Sequence, residues 1–280
     1  MINDANAAYS RGDYATALRL FLLLANGGDS TAQYTLGVMY YNGRGVAQDY
    51  AEAARWYRRS ADQGVAAAQY NLGTMYHLSQ DHDAAAKWFR KSANQGYALA
   101  QHNLGAMYNY GQGVPQDYAE AVRWYRKAAE QGVHHAQNNL GAMYAEGEGV
   151  SQDYAEAHRW FRKAADQGAA DAQYNLGDMY MSGKGVLQHY AEAHKWFQKS
   201  ANQGYALAQN NLGAMYYFGV GVPQDFVEAH KWSNLAASRF PASQIEQRNK
   251  ATKMRDEVAR KMTPAQIIEA QKRARDWQPK

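Results

Sequence analysis

Cysteine is absent from the 280-residue chain, which excludes a disulfide framework, a zinc–cysteine site and a thiol nucleophile. An apolar run of the ~20 residues that a membrane-spanning helix needs is also missing. The best stretch, Leu18 to Ala25, is too short and contains Arg19. The chain opens Met1-Ile2-Asn3-Asp4 and lacks the basic segment that begins a secretory signal. That opening fits a mature exported form, periplasmic or secreted, which we favour over a cytoplasmic protein. The apolar–polar alternation of strands is lacking as well. Charge of one sign is concentrated only at the end. From Arg239 to Lys280 there are 11 Lys/Arg against 5 Asp/Glu, a net of +6, which leaves −2 for the rest of a chain whose total is +4. The body is therefore unlike a nucleic-acid surface, and no nucleic-acid partner is expected.

What the chain does contain is itself, several times over. The segment Ala32-Gln33-Tyr34-Thr35-Leu36-Gly37-Val38-Met39-Tyr40 has near-copies beginning at Ala68, Ala100, Ala136, Ala172 and Ala208, at spacings of 36, 32, 36, 36 and 36 residues. A period of this size indicates a two-helix solenoid unit. The first helix of each unit ends in Leu-Gly-x-Met-Tyr. The second follows a Gly-x-Gly-Val loop and reads Gln-Asp-Tyr-Ala-Glu-Ala-x-x-Trp-(Tyr/Phe). Gly43, Gly111, Gly147, Gly183 and Gly219 stand where a helix needs a left-handed C-terminal cap. Asp49 and Glu52, and likewise Asp117 and Glu120, Asp153 and Glu156, and Asp225 and Glu228, have the spacing of a capping box. Each second helix then stops at a Gln-Gly pair.

Comparison of the copies separates scaffold from free positions. Leu36, Gly37, Tyr40 and Trp56 recur in all six copies. The bulky residues fill the space between helices. The in-helix glycine costs ~1 kcal/mol relative to alanine, so it should mark a close approach of a neighbouring helix.

These motifs resemble the Sel1-like repeats, relatives of the tetratricopeptide repeats with a longer loop inside the repeat. The resemblance implies an all-α, right-handed superhelical solenoid of helix-turn-helix repeats, about sixteen helices forming one continuous domain. Residues 1–31 are an N-terminal capping repeat, since Asp13-Tyr14-Ala15 lies 36 residues before Asp49-Tyr50-Ala51. Six repeats follow at 32–67, 68–99, 100–135, 136–171, 172–207 and 208–241, and capping helices occupy 242–280. The ending, Met262-Thr263-Pro264-Ala265-Gln266 through Trp277, resembles bacterial members. There Thr263 is an N-cap, Pro264 suits the first turn, and Met262 with Ile267 forms a staple. Leu235 replaces the basic residue of earlier copies and is the expected docking point for this segment. Ile245, Met254, Val258 and Met262 provide its apolar stripe. The second copy has lost its glycine loop, with four residues between Tyr76 and Asp81 against eight between Tyr40 and Asp49.

Signals of chemistry dissolve into the repeat. The Gly-x-Gly-Val loops lack the Gly-Lys-Ser/Thr of a phosphate-binding loop. His158, His194 and His230 are successive copies of one position, a whole repeat apart, and cannot share a metal; a surface role is expected. Ser60, Ser92 and Ser200 alternate with alanine and read as small packing residues rather than nucleophiles. The basic pairs after each Trp complement the helix dipole in solvent. No catalytic residue, metal site or cofactor is expected. Some relatives have been linked to β-lactam recognition, so the resemblance keeps open a weak hydrolase or a binder of a cell-envelope component of β-lactam or peptidoglycan type.

The expected function is a scaffold or adaptor that binds a peptide or protein. Solenoids bind partners on the extended concave surface lined by their first helices. By resemblance to tetratricopeptide repeats, the inward positions lie two before, and two, five and six after, the Leu of Leu-Gly. These include Tyr34, Tyr70, His102, Asn138, Tyr174 and Asn210 in the first series and Asp178 in the second. Tyr41, His77, Asn109 and Tyr217 fall in the third, and Tyr110 and Phe218 in the fourth. These series vary most among the copies and are rich in Tyr, His, Asn and Phe, which suit protein interfaces.

Overall fold

The computed structural model describes residues 1–279 of the chain, which form helices joined by short loops and contain no strand. Two compact units divide it, Met1–Val133 and His134 onward. The first holds α1 (Ile2–Ser10), α2 (Tyr14–Asn26), α3 (Ser30–Asn42), α4 (Tyr50–Asp62), α5 (Ala66–Leu78), α6 (His82–Asn94), α7 (Ala98–Tyr110) and α8 (Tyr118–Glu130). The second holds α9 (His134–Glu146), α10 (Tyr154–Asp166), α11 (Ala170–Ser182), α12 (Tyr190–Asn202), α13 (Ala206–Phe218), α14 (Phe226–Arg239), α15 (Ile245–Ala259) and α16 (Pro264–Arg275). Within each unit successive helices pack on one another, as a solenoid of helix pairs requires, except that α16 packs back on α14.

The helix ends follow from particular residues. Asp49, Asp117, Asp153 and Asp225 each accept a backbone N–H from the first turn of α4, α8, α10 and α14. The reciprocal half of the capping box is not made, which corrects the sequence reading. The N–H of Asp49 goes instead to the carbonyl of Tyr40, and that of Asp117 to Tyr108. Glu52 and Glu120 turn outward to Arg55 and Arg123. In α12 the cap is His189, whose Nδ1 accepts from the Glu192 N–H. Gly111 takes the left-handed conformation at φ 66° at the end of α7. The shortened link of the second copy places Gln80 there at φ 67°, a conformation that costs a non-glycine residue.

The glycines inside the first helices do mark close approach. A Cβ built on Gly141 would stand 2.7 Å from the Phe161 ring, and one on Gly177 would stand 2.6 Å from the Phe197 ring. The recurrent Trp, the ring beside it and the Leu fill the layer between pairs: Phe89, Leu104, Met107 and Trp124 form one such cluster, and Phe161, Leu176, Met179 and Trp196 another.

A second recurrent device ties the pairs together by polar contacts. The buried Gln33, Gln69 and Gln101 donate to the carbonyls of Ala25, Ala61 and Ala93 at the ends of the preceding second helices. Each then accepts from the glutamine of the following Gln-Gly stop, as in Gln63 to Gln33 at 2.7 Å and Gln131 to Gln101 at 2.7 Å. In the second unit Gln173 bonds Ala165 and Gln203 in the same way. The series ends at Gln209, whose Oε1 has no partner because Arg239 occupies the next glutamine's place. Ser60, Ser92 and Ser200 are buried, and their hydroxyls donate to the Ser30, Ala66 and Ala170 carbonyls. They are packing residues that also bind across the helix pair.

The last two helices cover α14. Leu235 is buried in a cluster with Trp232, Ala274 and Trp277, and Tyr217 lies under Val258 and Met254. Thr263 and Gln266 make a complete capping box before Pro264. Ile245, expected in the apolar stripe, is exposed instead, at the first position of α15.

The repeat-equivalent histidines are not surface residues. His158 and His194 are half-buried against Tyr180 and Tyr216 of the next first helix, with His194 Nε2 3.1 Å from the Tyr216 hydroxyl. His230 is buried, facing Arg255 and Asp256 of α15. Burial holds all three below the ordinary histidine value of 6.5, with Arg162 adding to the effect at His158 and Arg255 at His230. A depressed histidine pKa means that the unfolded chain binds more protons once pH falls through 6.5. The stabilisation is complete above that value and is lost as pH falls toward the folded-state values. Denaturant midpoints measured at about pH 7.5 and about pH 5.5 are expected to be lower at the acid end. Replacing the three histidines by glutamine should remove most of the difference.

Candidate functional site

Helix pairs repeat within each unit, and grooves open between some of their first helices. In the first unit Tyr34 and Tyr41 of α3, Tyr57 of α4 and Tyr70 of α5 line a groove of about 320 Å³ with the amides of Asn42 and Asn71. Val38 and Met75 add apolar floor. Tyr34 rests on the Tyr57 ring with centroids 6.0 Å apart, and Tyr70 on Phe89 at 5.9 Å and on Tyr97 at 5.1 Å. These contacts fix the rings before any partner arrives. Burial pushes the Tyr57 hydroxyl pKa upward, against a smaller opposing effect from the Asn71 amide near it. Among the described residues, none that lines this groove is a carboxylate, an imidazole or a cation.

The other expected residues of this unit do not line that groove. His102 rests against Tyr125 at 5.7 Å and beside Asn103. His77 is half-buried next to His82, ring centroids 5.1 Å apart, in the position where the first copy pairs Tyr41 with Tyr50. Asn109 is half-buried and its Oδ1 has no partner. Tyr110 is 68% exposed at the end of α7.

The second unit is different in character. Asp178 joins Glu146, Asn175 and Lys184 around a groove of about 220 Å³. Phe218, 63% exposed, lines another of about 220 Å³ with Met181 and Asn211. Tyr174 stacks on Phe197 and Tyr205, and burial raises its pKa. Asn210 is half-buried on α13. Asn138 is buried and accepts from Asn175 at 2.9 Å. Tyr217 is a correction: it is 7% exposed, covered by the α15 cluster and by the Lys261 ammonium 4.9 Å from its ring. A partner has no access to its face.

Two features of the site region escaped the sequence reading. The asparagine just before the Leu, Asn71, Asn103, Asn139, Asn175 and Asn211, is constant from the second copy onward and lines three of the grooves. Its recurrence beside the variable positions is the signal in the sequence that marks it. The basic residues after each Trp are not merely solvated. Lys91, Lys163 and Lys199 lie 4.1–4.3 Å from the centroids of the Trp88, Trp160 and Trp196 rings and cover them from solvent. The outer face therefore already has a structural use for its cations.

A solenoid of helix pairs with a variable first-helix face defines a class of repeat scaffold. The Sel1 repeat profile matches residues 30–65, 66–97, 98–133, 134–168, 170–205 and 206–239, and the chain belongs to the Sel1 repeat family. Sel1 repeat proteins generally act as protein-interaction scaffolds. Among solved structures, the chain is similar to c5321, a protective antigen present in uropathogenic Escherichia coli strains, with 35% identity and a TM-score of 0.89 over 98% of this chain. It spans only 60% of that chain's length. A Sel1 repeat protein from Oxalobacter formigenes is 34% identical with a TM-score of 0.74, over 85% of this chain and 99% of its own. No curated protein matches the sequence. No helix among the described residues is long and apolar enough to cross a membrane.

Proposed function

We propose that this chain is an adaptor that holds an extended segment of a protein partner against the first-helix face, and that the specificity lies in the residues that differ from copy to copy. The observation that carries this reading is the contrast between the two sets of positions. Leu, Gly and Trp repeat without change in the interior, because each copy must pack on the next. On the first-helix face the same register holds Tyr34, Tyr70, His102, Asn138, Tyr174 and Asn210. Packing alone does not require that variation. Held aromatic rings beside amide groups provide contact area at low entropic cost, and Tyr110 and Phe218 project free aromatic surface at the ends of α7 and α13.

Peptides selected from a random display library on the full chain test this. Their affinity is expected to fall about tenfold or more, equivalent to ~1.4 kcal/mol, with Thr74→Lys or Phe218→Ala. Lys91→Ala and Lys127→Ala on the outer face should leave it unchanged. The reverse pattern would move the site to the second helices.

A further inference from the structure

We propose that the groove between α3 and α5 receives an uncharged, proline-rich segment in the polyproline II conformation. This rests on the preceding reading of the first-helix face and names the partner chemistry for its first unit. Three observations converge on it.

The first is charge. The groove is built from tyrosine rings, asparagine amides and aliphatic groups, with no carboxylate, imidazole or cation among the described lining residues. A charged segment would lose hydration there and gain no ion pair. The groove of the second unit, with Glu146, Asp178 and Lys184, offers the opposite environment.

The second is the arrangement of rings. Aromatic-lined grooves recognise polyproline II because the ligand is already extended and loses little entropy on binding. Here Tyr34 and Tyr70 are braced by Tyr57 and Phe89 and present fixed faces. A prolyl segment offers carbonyl acceptors without backbone N–H donors. The groove answers with donors, the tyrosine hydroxyls and the Asn71 amide that line it.

The third is register. Tyr34, Tyr70 and His102 occupy one register on three successive first helices. Polyproline II is itself periodic, with three residues per turn, so such a ligand can present the same prolyl face to successive members of that series. His102, braced by Tyr125, continues the row on α7. The register breaks in the second unit, where Asn138 and Asn210 flank Tyr174.

Titration calorimetry of the full chain with an acetylated decaproline peptide tests the proposal. Saturable binding is expected, with none to a glycine–serine decamer. Tyr70→Ala should weaken decaproline binding about tenfold or more. Because that change also removes a ring packed on Phe89, Thr74→Lys provides a second variant: it places a charge in the groove without touching the inner layer and should weaken binding as much. Lys163→Ala, over Trp160 on the second helix α10, should change nothing. Failure of decaproline to bind, equal binding of the glycine–serine decamer, or indifference to both groove variants would overturn the proposal. Display-selected peptides that are proline-free yet lose binding with Thr74→Lys would overturn the proline assignment and leave the adaptor reading intact. Peptides indifferent to every first-helix variant would overturn both.

Discussion

A chain truncated after Pro241 is expected to aggregate or to lose the order of its last helix pair, with a stability loss on the order of 5 kcal/mol for that region. Trp232 and Leu235 pack against Ala274 and Trp277, and Tyr217 and Phe226 pack against Val258, Met254 and Met262. Burying one such side chain fully is worth roughly 1.5–3 kcal/mol, and several lose their cover together. An uncapped solenoid end is also a surface on which other copies can stack. Light scattering and a thermal scan of the truncated protein check this. A truncated protein that stays monomeric with an unchanged midpoint, but loses salt-sensitive binding to a polyanion, would assign the segment to a basic arm instead. The contacts favour the cap: Arg273 bridges Glu228 and Glu269, and Arg239 lies 4.3 Å from the centroid of the Trp277 ring.

The second large effect belongs to the interior of the first unit. Trp124→Ala is expected to cost ~3–5 kcal/mol in urea unfolding. The indole is 5% exposed among Phe89, Leu104 and Met107, its Nε1 donates to Glu120 at 3.1 Å, and Lys127 covers it at 4.4 Å from the ring centroid. Lys127→Ala removes only the cover, worth about 0.5–1 kcal/mol. Tyr34→Ala and Tyr70→Ala should fall between these two. Their rings are half-buried and paired, so they are not the neutral surface changes that their variability implies, whereas Tyr110→Ala is one. A Trp124→Ala protein as stable as the parent would mean that the inter-pair layer does not hold the unit together.

The helices were legible because their signals are local and repeated. The caps at Asp49, Asp117, Asp153 and Asp225, the glycine stops and the close approach at Gly141 and Gly177 all stand where the repeat places them. What was not legible depends on which residue meets which across the layers. Glu52 has the spacing of a capping box, but the Asp49 N–H is taken by Tyr40. The glutamine series is visible as recurrent residues, yet its purpose appears only when Gln63 and Gln33 face one another. His158, His194 and His230 are polar and repeated, which resembles a solvated stripe, until Tyr180 and Tyr216 are seen against the first two. Within the candidate site the register placed Tyr34, Tyr41 and Tyr70 together. It failed at Tyr217, because the cover comes from α15, about forty residues further along.

Hydrogen–deuterium exchange with and without a display-selected peptide tests the central claim most directly, since it reads the footprint without altering any residue. Binding on the first-helix face predicts that added protection falls on α3, α5 and α7, or on α11 and α13 for a peptide selected by the second unit, with α4, α6, α8, α10 and α12 unchanged. Protection confined to those second helices, over the lysine-covered tryptophans, would contradict it.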